Sequence, residues 1–196
     1  MPSDTATAIA YVGAFVGLVG GGVALFNSYI AVRWKQAELA NSYMKDFNGN
    51  AELIFAGRCL DWQAGRLALP DNLRAYMPNG ESIIQHDRRI FAKALDPLLG
   101  VNQVDDDYRI QIYRISIDSF LSWLCLVSSA LDRKLFRVRD IEEVGYWVAK
   151  IESDPALQDF IVAYGYRSGI QKLIARCRND KSNYQRWWFP SYSARQ

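Results

Sequence analysis

The sequence predicts an all-α protein, a single N-terminal transmembrane helix continuing into a cytoplasmic helical bundle. Three observations carry that prediction. Residues 5–32 hold 28 consecutive positions without Asp, Glu, Lys, Arg or His. Beyond them, apolar residues recur at helical spacing through most of the chain. Every proline falls between these periodic stretches and never inside one, which is where helices tolerate it. At 196 residues, the chain has the length of one ordinary domain plus an appendage. The expected division is 1–47 for the membrane helix with its cytoplasmic extension, 48–178 for the helical domain and 179–196 for a basic, aromatic tail.

The uncharged run comes first. As a helix it would extend ~42 Å, against a bilayer hydrocarbon core of ~30 Å, so it can span with tilt. A buried core helix of this length would need protein on every face. A cleaved signal peptide fits poorly, because "MPSDTATA" carries Asp4 and no Lys or Arg, and the apolar stretch exceeds the ~7–15 residues of a signal core. Positive charge follows the run instead, at Arg33, Lys35 and Lys45. By the positive-inside rule this puts the N-terminus outside and the remainder in the cytoplasm, giving a single-pass protein of the cell inner membrane. Three scattered cysteines, Cys59, Cys125 and Cys177, suit a reducing compartment better than a disulfide framework.

Within the span, Gly13, Gly17 and Gly21 form a tandem G-x-x-x-G-x-x-x-G ridge, and Ala10, Gly13, Gly17, Gly20 and Ala24 align at spacings of three and four. One side is therefore nearly bare. Lipid supplies no hydrophobic drive between helices, so their association depends on the close backbone approach that such a side allows. Gly13, Gly17, Gly20 and Gly21 are the expected oligomerisation residues, and with one span per chain the expected partner is another copy. Glycine is also simply common in membrane helices.

The helix continues outward through "RWKQAELANSYMKDF", with Trp34 at an interfacial position, and ends at Asn48-Gly49-Asn50. A short helix follows from Ala51 to about Trp62, then a loop with Gly65, Pro70 and "MPNGES". Another helix is expected from about Glu81 to Leu95. The longest of the cytoplasmic domain begins near Asp107 and carries Ile110, Tyr113, Ile117, Phe120, Leu121, Leu124 and Val127, the pattern of a central core helix. Its uncharged part, 119–131, is too short for a second span. Asp140 three residues before Glu143 reads as a capping box. Asp154 followed by Pro155 reads as an N-cap and first helical position for a helix running on toward Cys177.

The search for catalytic chemistry is mostly negative. One histidine, His86, excludes a multi-histidine metal site, and no C-x-x-C spacing is present. There is no phosphate-binding G-x-x-x-x-G-K-[ST] loop. In "GYRSG" the serine is one place off a nucleophile elbow, which points to helix packing. Helical RNases of the HEPN type need an Arg with a His a few places on, whereas Arg178 and Asn179 are followed by Tyr184. No catalytic residue, metal site or cofactor is expected. His86 beside Asp87 is the one residual general-base arrangement. "DDD" at 105–107 reads as a solvated helix start that complements the dipole. "CLDWQAGRLALP", 59–70, reads as a corner in which Trp62 packs and Asp61 caps or pairs with an arginine.

The tail is the most suggestive soluble feature. Residues 176–196 carry a net +4 while the rest of the chain carries −2. Arg176, Arg178, Lys181, Arg186 and Arg195 alternate with Tyr184, Trp187, Trp188, Phe189 and Tyr192. Cations for phosphates and aromatic faces for bases are what single-stranded nucleic acid requires. Two other readings stand beside this one: the aromatics pack the last helix onto the core, or the tail lies on an anionic membrane surface at ~1 kcal/mol per basic residue. A second basic cluster, Arg133, Lys134, Arg137 and Arg139, falls at a helix junction and adds to the expected ligand-binding set. Arg88 and Arg89 form a weaker third group.

This layout resembles the small membrane effectors of bacterial anti-phage systems, the Hailong transmembrane effectors and the accessory pore proteins of RNA-targeting CRISPR systems. "CLDWQAGR" echoes bacterial membrane proteins more loosely. The resemblance implies copies assembled around a membrane channel and a cytoplasmic domain that binds a gating ligand, an oligodeoxynucleotide in the Hailong type, supplied by a partner enzyme. The expected partners are thus the lipid bilayer, further copies, and a single-stranded DNA or nucleotide. The alternative is a non-conducting membrane scaffold whose tail docks a protein or lipid partner, and a membrane-tethered enzyme using His86 ranks last.

Overall fold

The computed structural model describes residues 4–78, 80–99 and 107–180, of which the side chains of 4–10 and 12 are not described. The fold is largely helical, with eight α-helices among the described residues. Helix α1 (Asp4–Gly49) is followed by α2 (Ala51–Asp61), strand β1 (Ala64–Ala68), α3 (Asp71–Arg74), strand β2 (Ile83–Asp87) and α4 (Arg88–Ala94). Then come α5 (Tyr108–Asp132), a 3-10 turn at Val138–Asp140, α6 (Glu142–Ser153), α7 (Pro155–Ala163) and α8 (Arg167–Asn179). The chain divides into two compact units, Met1–Leu39 and Ala40–Gln196.

The described part of the first unit is the N-terminal portion of α1, which holds its apolar run. Its most apolar window has none of its residues buried, so by length and composition α1 is a candidate membrane span. Leu18 and Leu25 are 77% and 75% exposed, a placement that water penalises and hydrocarbon does not. A Cβ built on Gly13, Gly17, Gly20 or Gly21 meets no heavy atom within 4 Å. Packing within the chain therefore gives no reason for these glycines.

The second unit is organised on α5. Ile110, Tyr113, Ile117, Phe120, Leu121, Leu124 and Val127 are all fully buried, as the helical spacing requires. This helix also meets the length and hydropathy criteria for a span, but 56% of its window is buried against protein, so it is the core helix. It packs against α2, α4 and α8. Asp107 caps it by accepting from the Arg109 amide at 3.0 Å, and Asn50 caps α2 in the same way through Glu52 and Leu53. The last turns of α1 belong to this unit: Phe47 is buried and its ring lies 4.8 Å from that of Trp123.

Three expectations are corrected. The helix expected over 81–95 begins only at Arg88, because Ile83–Asp87 pairs antiparallel with β1, Leu67 opposite Ile84 and Gly65 opposite His86. Ile84 and His86 point inward while Ile83 and Gln85 are exposed, the period of two that a half-buried strand shows. Asp87 then caps α4 through the Arg89 amide at 2.7 Å. Asp140 does not open a capping box with Glu143. Its carboxylate accepts instead from the Arg137 amide at 2.9 Å and closes the 3-10 turn. Finally, the helix entered at Asp154-Pro155 stops at Ala163, because Gly165 adopts φ +82°, and α8 starts afresh.

Candidate functional site

The corner "CLDWQAGR" links α2 to β1, and its main chain is where several elements are tied together. His86, 1% exposed, lies with Nε2 3.0 Å from the Trp62 carbonyl and Nδ1 3.0 Å from the Tyr113 hydroxyl. A carbonyl only accepts, so Nε2 carries the proton, and Tyr113 donates to Nδ1. Burial holds the His86 pKa below its ordinary value and pushes that of Tyr113 up. Both ring nitrogens are thus occupied on a neutral imidazole, and none is left to take a substrate proton. In this place His86 is a pin between β2, the corner and α5.

Arg88 completes the corner. Its guanidinium donates to the Cys59 carbonyl at 3.1 Å and to the Asp154 carboxylate, while its backbone amide donates to the Gln63 carbonyl at 2.9 Å. Asp154 also caps α7. Asp61 neither caps a helix end nor pairs with an arginine, the two roles its place in the corner suggests. It accepts from the Tyr146 hydroxyl and pairs with Lys150 at 3.2 Å. Trp62 is 44% exposed, yet its ring packs over Gly65, 3.4 Å from where a Cβ there would sit, and its carbonyl holds His86.

The expected ligand-binding residues are scattered in their circumstances. Arg176 donates from Nε to Asp132 at 2.9 Å, beside Lys172 at 3.5 Å from the same carboxylate. Arg178 pairs with Glu152. These two cations are spent in joining α8 to α5 and α6. Arg133, Lys134, Arg137 and Arg139 are all exposed in the loop after α5, which Phe136 anchors by burying its ring edge-on to Tyr43, 5.1 Å away. Lys181, Tyr184, Arg186, Trp187 and Trp188 lie outside the described residues. So do Asp105 and Asp106, and no group of His, Cys, Asp and Glu suited to a metal occurs among the described residues. The three cysteines are free thiols, with Cys59 and Cys177 buried. Burial pushes Cys177 up to about 12, which leaves it an unreactive thiol.

"GYRSG" acts in packing, as expected. A Cβ on Gly169 would lie 2.5 Å from Cys125 Sγ, so α8 approaches α5 closely there, and Ser128 Oγ donates to the Gly169 carbonyl at 2.8 Å.

One feature escaped the sequence reading. A cavity of about 510 Å³ opens between the end of α1, α2 and α6. Phe47, Ile54 and Trp147 line it, and Asn48, Arg58, Asp61, Glu143 and Tyr146 complete its wall. Trp147 can lie against α2 because residue 57 is glycine: a Cβ there would sit 2.8 Å from the indole ring. The available signals were a glycine on the buried face of α2 and adjacent aromatics three and four places after an acid on α6.

Fold and site together define a largely helical domain that carries a candidate membrane-spanning helix at its N-terminal end. No protein-family model, no curated protein and no solved structure matches the chain.

Proposed function

We propose that this chain is a self-assembling membrane protein of the effector type, in which α1 crosses the inner membrane once and copies pack along its glycine side. The single observation behind the proposal is the state of α1. Among the described residues it combines an apolar window with no buried residue and four glycines, Gly13, Gly17, Gly20 and Gly21, that nothing in the chain itself requires to be small. Arg33, Lys35 and Lys45 favour an outside N-terminus and a cytoplasmic helical domain. That domain responds to a phosphate-bearing ligand, a single-stranded oligonucleotide or nucleotide made by a partner enzyme. Such a ligand opens or closes a channel only through unequal affinity for the two states. The exposed loop Arg133, Lys134, Arg137 and Arg139 supports this part. Arg176 and Arg178, already paired, frame the loop chemistry less directly.

Light-scattering mass in detergent tests the assembly. The wild type should be a defined multimer, Gly17→Leu should shift it to monomer, and Gly22→Leu, placed off the ridge, should not. A monomeric wild type sinks the proposal. Leakage from liposomes, lost in Gly17→Leu, separates a channel from a non-conducting scaffold.

A further inference from the structure

We infer that the cavity between α2 and α6 binds a small aromatic ammonium, a planar apolar ring system carrying a protonated amine. The inference rests on the cavity alone and is independent of whether α1 spans a membrane.

Its volume of about 510 Å³ falls within the ~300–1,000 Å³ of sites for small organic molecules. The interior is apolar and aromatic. Phe47 and Trp147 stand 6.1 Å apart between ring centroids at a tilt of 48°, and Tyr146 meets Trp147 edge to face at 4.9 Å. These rings pack on one another and leave no slot between them, so a planar ring entering here lies against the outside of the cluster and exchanges water for that apolar wall. The shape is set by the backbone as well, because Gly57 alone permits the indole of Trp147 to rest on α2.

The polar groups decide the ligand's charge. Of the two carboxylates on the wall, Asp61 is already shared by the Tyr146 hydroxyl and Lys150. Glu143 makes no ion pair among the described residues. It stands on α6 one turn before Tyr146 and Trp147, and residues three and four apart share a helix face. A cation at this point gains a carboxylate and an indole face together. A phosphate would meet two carboxylates, with Arg58 as the one cation on the wall to offset them, so nucleotides are disfavoured. Arg58 is exposed at the rim and suits the carboxylate of an aromatic amino acid. Free amine and amino acid share the ammonium chemistry, and Arg58 distinguishes them.

Calorimetric titration of the full chain in detergent tests this with tryptamine, tryptophan and adenosine monophosphate as probes. Tryptamine should bind saturably, and Glu143→Gln, at an exposed position, should weaken it about tenfold, the scale of a lost charge-assisted contact. Glu142→Gln should leave it unchanged. Gly57→Ala, by displacing Trp147, should abolish it. Tryptophan binding that alone falls in Arg58→Gln assigns the amino acid. No saturation by either amine at millimolar concentration, an unaltered Glu143→Gln, or tighter binding of the nucleotide overturns the inference.

Discussion

Tyr113 donates a hydrogen bond to Nδ1 of His86 across 3.0 Å in the protein interior, and the direction of that bond is fixed by the Trp62 carbonyl on the other side of the ring. Tyr113→Phe keeps the ring packing and removes only the donor. A buried acceptor left unpaired costs ~1–3 kcal/mol, and a lower thermal midpoint by circular dichroism checks it. The same site gives a pH dependence. The folded pKa of His86 lies below its value of 6.5 in the open chain, chiefly through burial. Below that pH the unfolded chain binds a proton that the folded one refuses. The contribution is intact above pH 6.5 and is lost as pH falls through 6.5 toward the lower folded value. Subtracting the profile of His86→Gln from that of the wild type should isolate this slope. Identical profiles would mean the imidazole is not held neutral.

Gly169 and Cys125 offer a test in which two effects oppose. Alanine in place of a helical glycine ordinarily gains ~1 kcal/mol. Here the added methyl would lie 2.5 Å from Cys125 Sγ and 3.6 Å from its Cα, and overpacking of this kind costs ~1–3 kcal/mol. Gly169→Ala should therefore lower the thermal midpoint. With Cys125→Ala the nearest remaining side-chain atom stands at 3.3 Å, so the double variant should recover most of the loss. A stabilised single variant would show that α8 does not approach α5 so closely.

What the sequence makes legible follows from where the deciding interactions lie. Helix α5 announces itself because seven apolar residues repeat within one helix, and Asp154-Pro155 because a cap is a local event. The hairpin is hidden: "SIIQHDRRIF" places Ile83, Ile84 and Phe91 at spacings a helix also accepts. Pairing with "AGRLA", almost twenty residues earlier, decides the matter. Arg176 looks like a free cation because its partner Asp132 lies 44 positions away. The cavity joins the α1–α2 junction to α6, which lies far along the chain, so neither the unpaired state of Glu143 nor the seat that Gly57 makes for Trp147 shows in any short motif. The bareness of the α1 glycines is the opposite case, since a residue that touches nothing is as plain in sequence as in space.

The basic loop carries the last prediction. Arg133, Arg137 and Arg139 are exposed on a loop that Phe136 fixes to the domain, so they present charge from a held position. If single-stranded DNA binds there, each phosphate contact releases counterions and adds ~0.7 to the slope of log affinity against log salt. Replacing the three arginines with glutamine should lower that slope by ~2 in fluorescence anisotropy with a labelled oligonucleotide. Arg176→Gln should barely change it, because that guanidinium is committed to Asp132, whose carboxyl it holds below the usual carboxylate range. An unchanged slope in the triple variant would move the binding to the tail, where Lys181, Arg186 and the neighbouring tryptophans become the residues to replace. Loss in Arg176→Gln equal to the triple would instead place the phosphate at the α5–α8 junction, in competition with Asp132.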